Sequence, residues 1–413
     1  MGARRACRPR AGDRERRVRV NGMKGALRRL AAFYLLAAVY LGVAIALTIS
    51  ASAPAAEPTD IESNLTIAVG GTEKELALAD AMATLNIPSV SIALIDHDRI
   101  AWAHAYGAGT TPDTLFQAAS LSKFVAAVGA MRLVDAKRLG LDEDVNAGLT
   151  SWKVPANDFD KDHPVTLRGL LSMTAGIGVP GFLGYELGAP LPTLSQILDG
   201  TSPANSAPVT VTAVPGGAYH YSGGGYEIAE ALMVDAAQAP FAETMDSLVL
   251  KPAGMRSSTF AQPLPAELEP QAATGHFADG RELASGFHVF PEHAAAGLWS
   301  TPSDLANLLL VFGRAWRGES RLVLLPDTAR EMLTRQNGGP YGLGAAVGEG
   351  ADSPVLMKRG QNVGYQAYLI LLPGEGQGMV VMTNSDNGSI LAEALIRRAA
   401  ALYGWPPLGA LAD

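Results

Sequence analysis

FQAASLSKFVAAVGAMRLVDAKRLGL, residues 116–141, carries apolar side chains at Leu121, Val125, Val128 and Leu133 with alanines between them. That is the pattern of a largely buried helix, with Gly140 as its C-terminal stop. Ser120 then sits at the helix N-terminus, among unpaired backbone N–H groups and the positive end of the dipole, where negative charge developing on a substrate oxygen is stabilised. Lys123 is one turn on, on the same face. So close to an apolar helix start it is partly desolvated, which lowers its pKa and lets a neutral amine take the serine proton. A serine in this position is most often only a cap, and one Ser-x-x-Lys is common by chance, so its meaning depends on partners further along the chain.

Working outward, the 413 residues, 48% of them hydrophobic, suffice for one large or two ordinary domains. Residues 1–29 are basic, Leu30–Ile49 is an almost unbroken apolar run, and Ser50–Ala56 is small and Pro-containing. With Arg28 and Arg29 in front, residues 1–56 read as an export segment: either a signal peptide with an Ala51-Ser52-Ala53 cleavage signal, the favoured form, or an uncleaved anchor spanning the membrane through 30–49. A start at Met23 gives a short basic n-region, whereas a start at Met1 leaves a long basic tail. The expected location is periplasmic, or anchored to the outer face of the inner membrane. Taking away the 11 basic and 2 acidic residues of 1–56 leaves 21 basic against 38 acidic, a formal −17, which argues against nucleic acid or an anionic membrane surface as partner. The single cysteine, Cys7, lies in the leader, so residues 57–413 contain no disulfide, thiol nucleophile or thiolate metal site.

Past the leader, Thr72 and Glu75 form a capping-box pattern ahead of an apolar helix that ends at Pro88. Ser89–Asp96 and Arg99–Tyr106 read as strands joined tightly at His97-Asp98, and Tyr365–Leu372 and Gly378–Thr383 as strands near the C-terminus, followed by a helix over Ile390–Leu402. The expected fold is α/β of the α+β type, one antiparallel sheet flanked by N- and C-terminal helices, with a mostly helical insertion over about 140–357 and a site in the cleft between the two parts.

Two later segments supply partners for Ser120. Pro215–Tyr226, PGGAYHYSGGGY, is a glycine-rich loop with three tyrosines, of which Tyr221 is best placed to bring a phenol to the cleft; beside lysine ammoniums it could shuttle the serine proton. Lys358-Arg359-Gly360-Gln361 leads into the first C-terminal strand. Gly360 permits close approach by a ligand, the Gln361 N–H joins that of Ser120 as an oxyanion donor, and Lys358 either anchors a substrate carboxylate or acts on Tyr221 through its field. The plainer account of Lys358 is an edge-strand guard against aggregation.

Ser-x-x-Lys at 120–123, Tyr-Ser-Gly at 221–223 and Lys-Arg-Gly at 358–360, in that order, resemble the three active-site motifs of penicillin-recognising serine hydrolases, here the class C side commonly grouped as β-lactamase-related serine hydrolases. The resemblance runs from about Leu76 to Tyr403 and includes VTLRGLLSMTAGI at 165–177 and AAAGLWSTPSDLANLL at 294–309. It implies a β-lactamase/transpeptidase-like fold with Ser120 acylated, Lys123 as base or hydrogen-bond hub, Tyr221 as proton shuttle, and Lys358 and Gly360 on the substrate-binding strand. Two departures pull in opposite directions. Gly223 stands where the β-lactamase pattern usually has an asparagine that bonds the lysine and a substrate amide, and Lys358 stands where many esterase-like relatives carry histidine.

Ser385-Asp386-Asn387 spells a motif of the same family but follows Lys358 and reads as a turn. No G-x-S-x-G occurs, and the seven histidines show no metal-ligand spacing, so neither metal nor cofactor is expected. The reading is an exported serine hydrolase that forms an acyl-enzyme with a small ester, amide or D-amino-acid peptide, with β-lactams as possible acylators. The alternative is a non-hydrolytic penicillin-binding or cell-wall sensing module of the same fold. The oligomeric state is open.

Overall fold

The computed structural model describes Gly2, residues 58–350 and residues 353–408. The expected export segment, with its apolar run 30–49, lies outside the described residues. β1 (Val90–Asp96) and β2 (Arg99–Tyr106) turn through His97 and Asp98, whose φ values of 50° and 58° are the left-handed pair that a two-residue hairpin connection demands. Near the other end come β3 (Ala346–Glu349), β4 (Pro354–Asn362), β5 (Tyr365–Leu372) and β6 (Gln377–Thr383). They form one sheet in the order β2-β1-β6-β5-β4-β3, every neighbouring pair antiparallel. Pairing of β1 with β6 joins the two ends of the chain, as expected.

Strand alternation divides the core in two. Ile92, Leu94, Ile370, Leu372 and Val381 face a layer that includes Leu391 and Leu395. Ala93, Ile95, Leu369, Leu371 and Val380 face the helical region on the opposite side. Four helices define the layers and carry the site: α1 (Leu121–Asp135), α2 (Gly223–Ala237), α3 (Pro302–Arg317) and α4 (Gly388–Tyr403). α4 covers the first face. α1 and α3 cover the second, and the rings of Phe124 and Phe312 meet edge to face with centroids 5.4 Å apart. Each fully buried Leu, Ile or Phe contributes roughly 1.5–3 kcal/mol. A one-residue slip of β1 or β6 would exchange the two faces, so register is strongly specified.

Two local expectations are corrected. Thr72–Leu76 is a strand, paired with Leu65–Val69 across Gly70 and Gly71 (φ 58° and 81°), and the helix after it, Leu78–Thr84, begins after Ala77 without a side-chain cap. The two glycines supply a turn that only pairing with residues upstream reveals, and pairing outweighs the local capping signal. α1 stops at Asp135 rather than near Gly140, because Lys137 turns left-handed at φ 57°. The inserted region is mostly helical, as expected; β3 and the first half of β4 also fall inside 140–357, and α3 packs on the sheet itself.

Candidate active site

The backbone enters the site through a short strand, Phe116–Gln117, paired with Trp299–Ser300. It then turns sharply into α1 with Ala119 left-handed at φ 49°, a conformation unusual for a residue with a Cβ. Ser122 holds this turn. Its hydroxyl donates to the Ala119 carbonyl at 2.5 Å and accepts from the Leu298 N–H at 3.0 Å, while the Ala118 N–H donates to the Leu298 carbonyl at 2.8 Å. Reading the sequence passed over Ser122, because nothing in Ser-Leu-Ser-Lys distinguishes a pinning hydroxyl from a reacting one.

Ser120 occupies the cap position of α1, yet its side chain caps nothing. Instead Ser120 Oγ accepts from Lys123 Nζ at 3.1 Å and from the Tyr221 hydroxyl at 2.9 Å. The plain N-cap reading therefore fails. Lys123 is buried, and its Nζ also donates to the Ala295 carbonyl at 2.9 Å. Burial holds its pKa below the ordinary lysine value, and the Lys358 charge pushes the same way, against the opposing pull of Tyr221 and Glu227.

Tyr221 is carried by the segment leading into α2. Ser222 caps that helix by accepting from the Gly225 N–H at 2.9 Å, and donates its own hydroxyl to the Gly178 carbonyl at 2.7 Å. The three tyrosines of this loop have separated fates. Tyr219 stacks on Tyr341 with centroids 5.1 Å apart, Tyr226 is buried with its hydroxyl donating to the Leu171 carbonyl, and Tyr221 alone reaches Ser120. The Tyr221 ring lies between two amines, with Lys123 Nζ 5.3 Å and Lys358 Nζ 5.2 Å from its centroid.

β4 supplies the remaining expected residues. β3 pairs with it only from Pro354 to Met357, and beyond that point no strand among the described residues pairs along this edge. A Cβ on Gly360 would lie 2.6 Å from the Ala118 carbonyl oxygen and 2.7 Å from the Ser120 nitrogen, so strand and helix start approach this closely only with glycine there. Gln361 is exposed and lines a cavity of about 450 Å³, together with Ser120, Lys123, Tyr221 and Gly360. Lys358 does not line it. It is 2% exposed and donates to the Tyr341 hydroxyl at 3.0 Å and the Arg359 carbonyl at 3.1 Å. Of the two roles considered for Lys358, its position suits the field on Tyr221 rather than direct contact with a substrate carboxylate. Besides Lys123, the basic side chain on the cavity is Arg359, the neighbour of Lys358, given no role by sequence reading. Asn362 was also missed: it donates to the Gln117 side chain at 2.8 Å and ties β4 to the strand before Ser120. The signal for both was strand alternation beside a motif glycine.

The beta-lactamase family profile matches residues 76–403. The chain belongs to the beta-lactamase family. Among its relatives are an uncharacterized protein of Mycobacterium tuberculosis, 29% identical over 249 residues (54% of this chain, 59% of the relative), and the esterase EstB of Burkholderia gladioli, 29% identical over 205 residues (46% and 50%). The chain thus spans only half to three-fifths of these relatives' own length. Among solved structures, a penicillin-binding protein homologue from Pyrococcus abyssi superposes with a TM-score of 0.64 at 23% identity, covering 79% of this chain and 76% of that one. The D-amino acid amidase of Ochrobactrum anthropi superposes with a TM-score of 0.62 at 21% identity, covering 78% and 96%. These neighbours bear out the expected beta-lactamase fold. Within it, the family member described here brings Ser120, Lys123 and Tyr221 into one hydrogen-bonded group, with Gly360 against the Ser120 nitrogen. Asp386 of the misleading Ser-Asp-Asn accepts from the Gly364 N–H at 2.7 Å and serves the turn before α4.

Proposed function

We propose that this chain is an exported serine hydrolase that works through an acyl-enzyme on small esters or amides, D-amino-acid peptides among them. The observation that carries the reading is Ser120 Oγ, at a solvent-reached cavity, hydrogen-bonded at once to a desolvated amine and a phenol. With Lys123 neutral, the Ser120 proton passes to Lys123 or, through Tyr221, toward the leaving group as Oγ bonds the carbonyl carbon. The oxyanion that forms is held by the N–H groups of Ser120 and Gln361. Water, deprotonated by the same pair, releases the acyl group and restores Ser120. An esterase and an amidase among the relatives and neighbours support this class of chemistry. Arg359 on the cavity suits a substrate bearing a carboxylate. Export rests on the pattern of residues 1–56.

The test is intact-protein mass spectrometry and turnover with activated p-nitrophenyl esters, D-Ala-D-Ala peptides and nitrocefin. A transient adduct on the wild type, absent from Ser120→Ala, with hydrolysis lower by at least about a thousandfold, is expected. A persistent adduct without turnover would favour a penicillin-binding sensor, and no adduct at all would overturn the nucleophile.

A further inference from the structure

Gly223 departs from the asparagine of the family pattern, and what fills the space is a loop of the chain itself. The segment from Gly176 to Phe182 crosses the N-terminus of α2 and is pinned there. The Gly223 N–H donates to the Pro180 carbonyl at 3.0 Å, the Gly224 N–H to the Val179 carbonyl at 2.9 Å, and the Ser222 hydroxyl to the Gly178 carbonyl at 2.7 Å. The Gly178 N–H in turn donates to the Thr210 carbonyl at 3.0 Å. Val179 takes a left-handed φ of 59° to make the crossing. The glycines admit it. A Cβ on Gly223 would lie 3.0 Å from the Phe182 ring, 3.2 Å from the Pro180 carbonyl oxygen and 3.3 Å from Gly181 Cα, and one on Gly224 would lie 2.9 Å from the Gly178 carbonyl oxygen. Any longer side chain at 223 has to displace the loop or the ring.

The consequence falls on the cavity. Pro180, Gly181 and Phe182 line it, and Leu183, next in the chain, is 69% exposed. Arg359, Gln361, Asn362 and Gln366 line it as well, so polar groups of the sheet and an apolar wall share one cavity. An asparagine at 223 would offer a substrate amide a donor and an acceptor; at that point the loop offers a hydrocarbon face instead, which rewards burial of hydrocarbon.

We infer that Phe182 determines specificity, and that the loop seated on Gly223 selects substrates carrying an apolar group on the acyl or alcohol side of the scissile bond. This deepens the hydrolase reading and rests on it. The backbone that carries Phe182 is held before substrate arrives, by the four hydrogen bonds at 178–180 ahead of it and, after it, by the Leu183 carbonyl bonded to His288 Nδ1 at 3.0 Å and the Gly184 carbonyl accepting from the Asn205 side chain at 2.8 Å. The wall acts on binding and orientation and takes no part in proton transfer.

The experiment uses the purified chain and two ester series, p-nitrophenyl acetate, butyrate and phenylacetate for the acyl side, and methyl, butyl and benzyl acetates for the alcohol side. In the wild type, kcat/KM is expected to rise along at least one series. Phe182→Ala should lower kcat/KM for the bulky members of that series about tenfold or more, mainly through KM, while changing the smallest member less than about threefold. Gly223→Asn, which drives the ring from its place, should flatten the same series. A second substitution, Phe182→Leu, keeps an apolar wall and should retain most of the preference, which separates loss of the wall from general damage. Equal loss across all members, or no loss, overturns the assignment of Phe182. Preference retained in Gly223→Asn overturns the link between Gly223 and the loop. If the wild type makes no Ser120-dependent adduct with any ester or peptide, the hydrolase reading itself falls, and this inference with it.

Discussion

Ala295 stands between two groups of ionisable side chains that feel each other's charge but differ in what they face. On one side its carbonyl accepts from Lys123, whose neighbours are Ser120, Tyr221 and the cavity. On the other its N–H donates to Glu227, which lies with Glu230, Glu292 and His293 in a buried cluster. The front group turns two donors onto the half-buried Ser120 oxygen at the cavity. The rear group turns inward: Glu230 accepts from the Ala294 N–H at 2.7 Å and pairs with His293 at 2.9 Å, and Glu227 Oε2 finds no hydrogen-bond partner among the described residues. Burial and mutual repulsion push Glu227 well above the ordinary carboxyl range and burial lifts Glu292 to about 7. Burial alone would lower His293, yet Glu230 holds it above its usual value. The difference teaches that both groups are desolvated, but only the one opened to a cavity can turn a shifted proton affinity into chemistry.

The comparison breaks most sharply at the front. Tyr221→Phe removes one of the two donors on Ser120 Oγ and should lower kcat by about a hundredfold or more, read by steady-state hydrolysis of a p-nitrophenyl ester. A change under about threefold would leave Lys123 as sole proton carrier. Next comes Gly360→Ala. Its new Cβ must push β4 from the Ser120 nitrogen, and kcat is expected to fall about ten- to a hundredfold, with thermal stability lowered as well by an overpacking cost of roughly 1–3 kcal/mol.

Sharpening it requires pH. Lys123 must be neutral to act, so kcat/KM should rise with pH through a value below that of an ordinary lysine and be lost toward acid as the amine takes up a proton. Because the rear carboxyl Glu227 holds its proton more tightly than usual, Glu227→Gln keeps charge and acceptor nearly unchanged and should move that acid limb by less than about half a pH unit. A larger downward move would mean that a charged Glu227 supports the lysine.

The smallest effect on activity is expected from Glu292→Gln, whose readout is stability. A carboxyl that ionises at 4.5 when unfolded and at about 7 when folded stabilises fully below pH 4.5, and that stabilisation is lost as pH rises to about 7, a change of roughly 3 kcal/mol. Glu227 and His293, raised in the same direction, add to the slope. The substitution should flatten urea-denaturation stability between pH 5 and pH 8. An unchanged slope would place the titration elsewhere.

The legible parts were those in which local pattern and global fold agree. Alternating strands at both ends, a two-residue turn at His97-Asp98 and an apolar helix behind Ser120 each state their structure within a dozen residues. The strand Thr72–Leu76 escapes a sequence reading because its partner, Leu65–Val69, carries no turn signal of its own beyond two glycines. Lys358 lies two residues from Gly360 and so on the same face of the strand, but whether its amine reaches a substrate or stays beside the phenol is decided only by the packing of Tyr341 and Tyr221.

By itself, then, the order of side chains determined the sheet, its closure by both ends of the chain, and the identities of Ser120, Lys123 and Tyr221, since periodicity and the chemistry of a hydroxyl, an amine and a phenol are written in residue types. The tertiary structure alone decided that Lys358 lies behind the phenol, that carboxyls gather beyond Ala295, and that a loop rests on Gly223 with Phe182 against the cavity. Those depend on which distant surfaces exclude water from one another, and desolvation is a property of packed neighbours that no single stretch of chain contains.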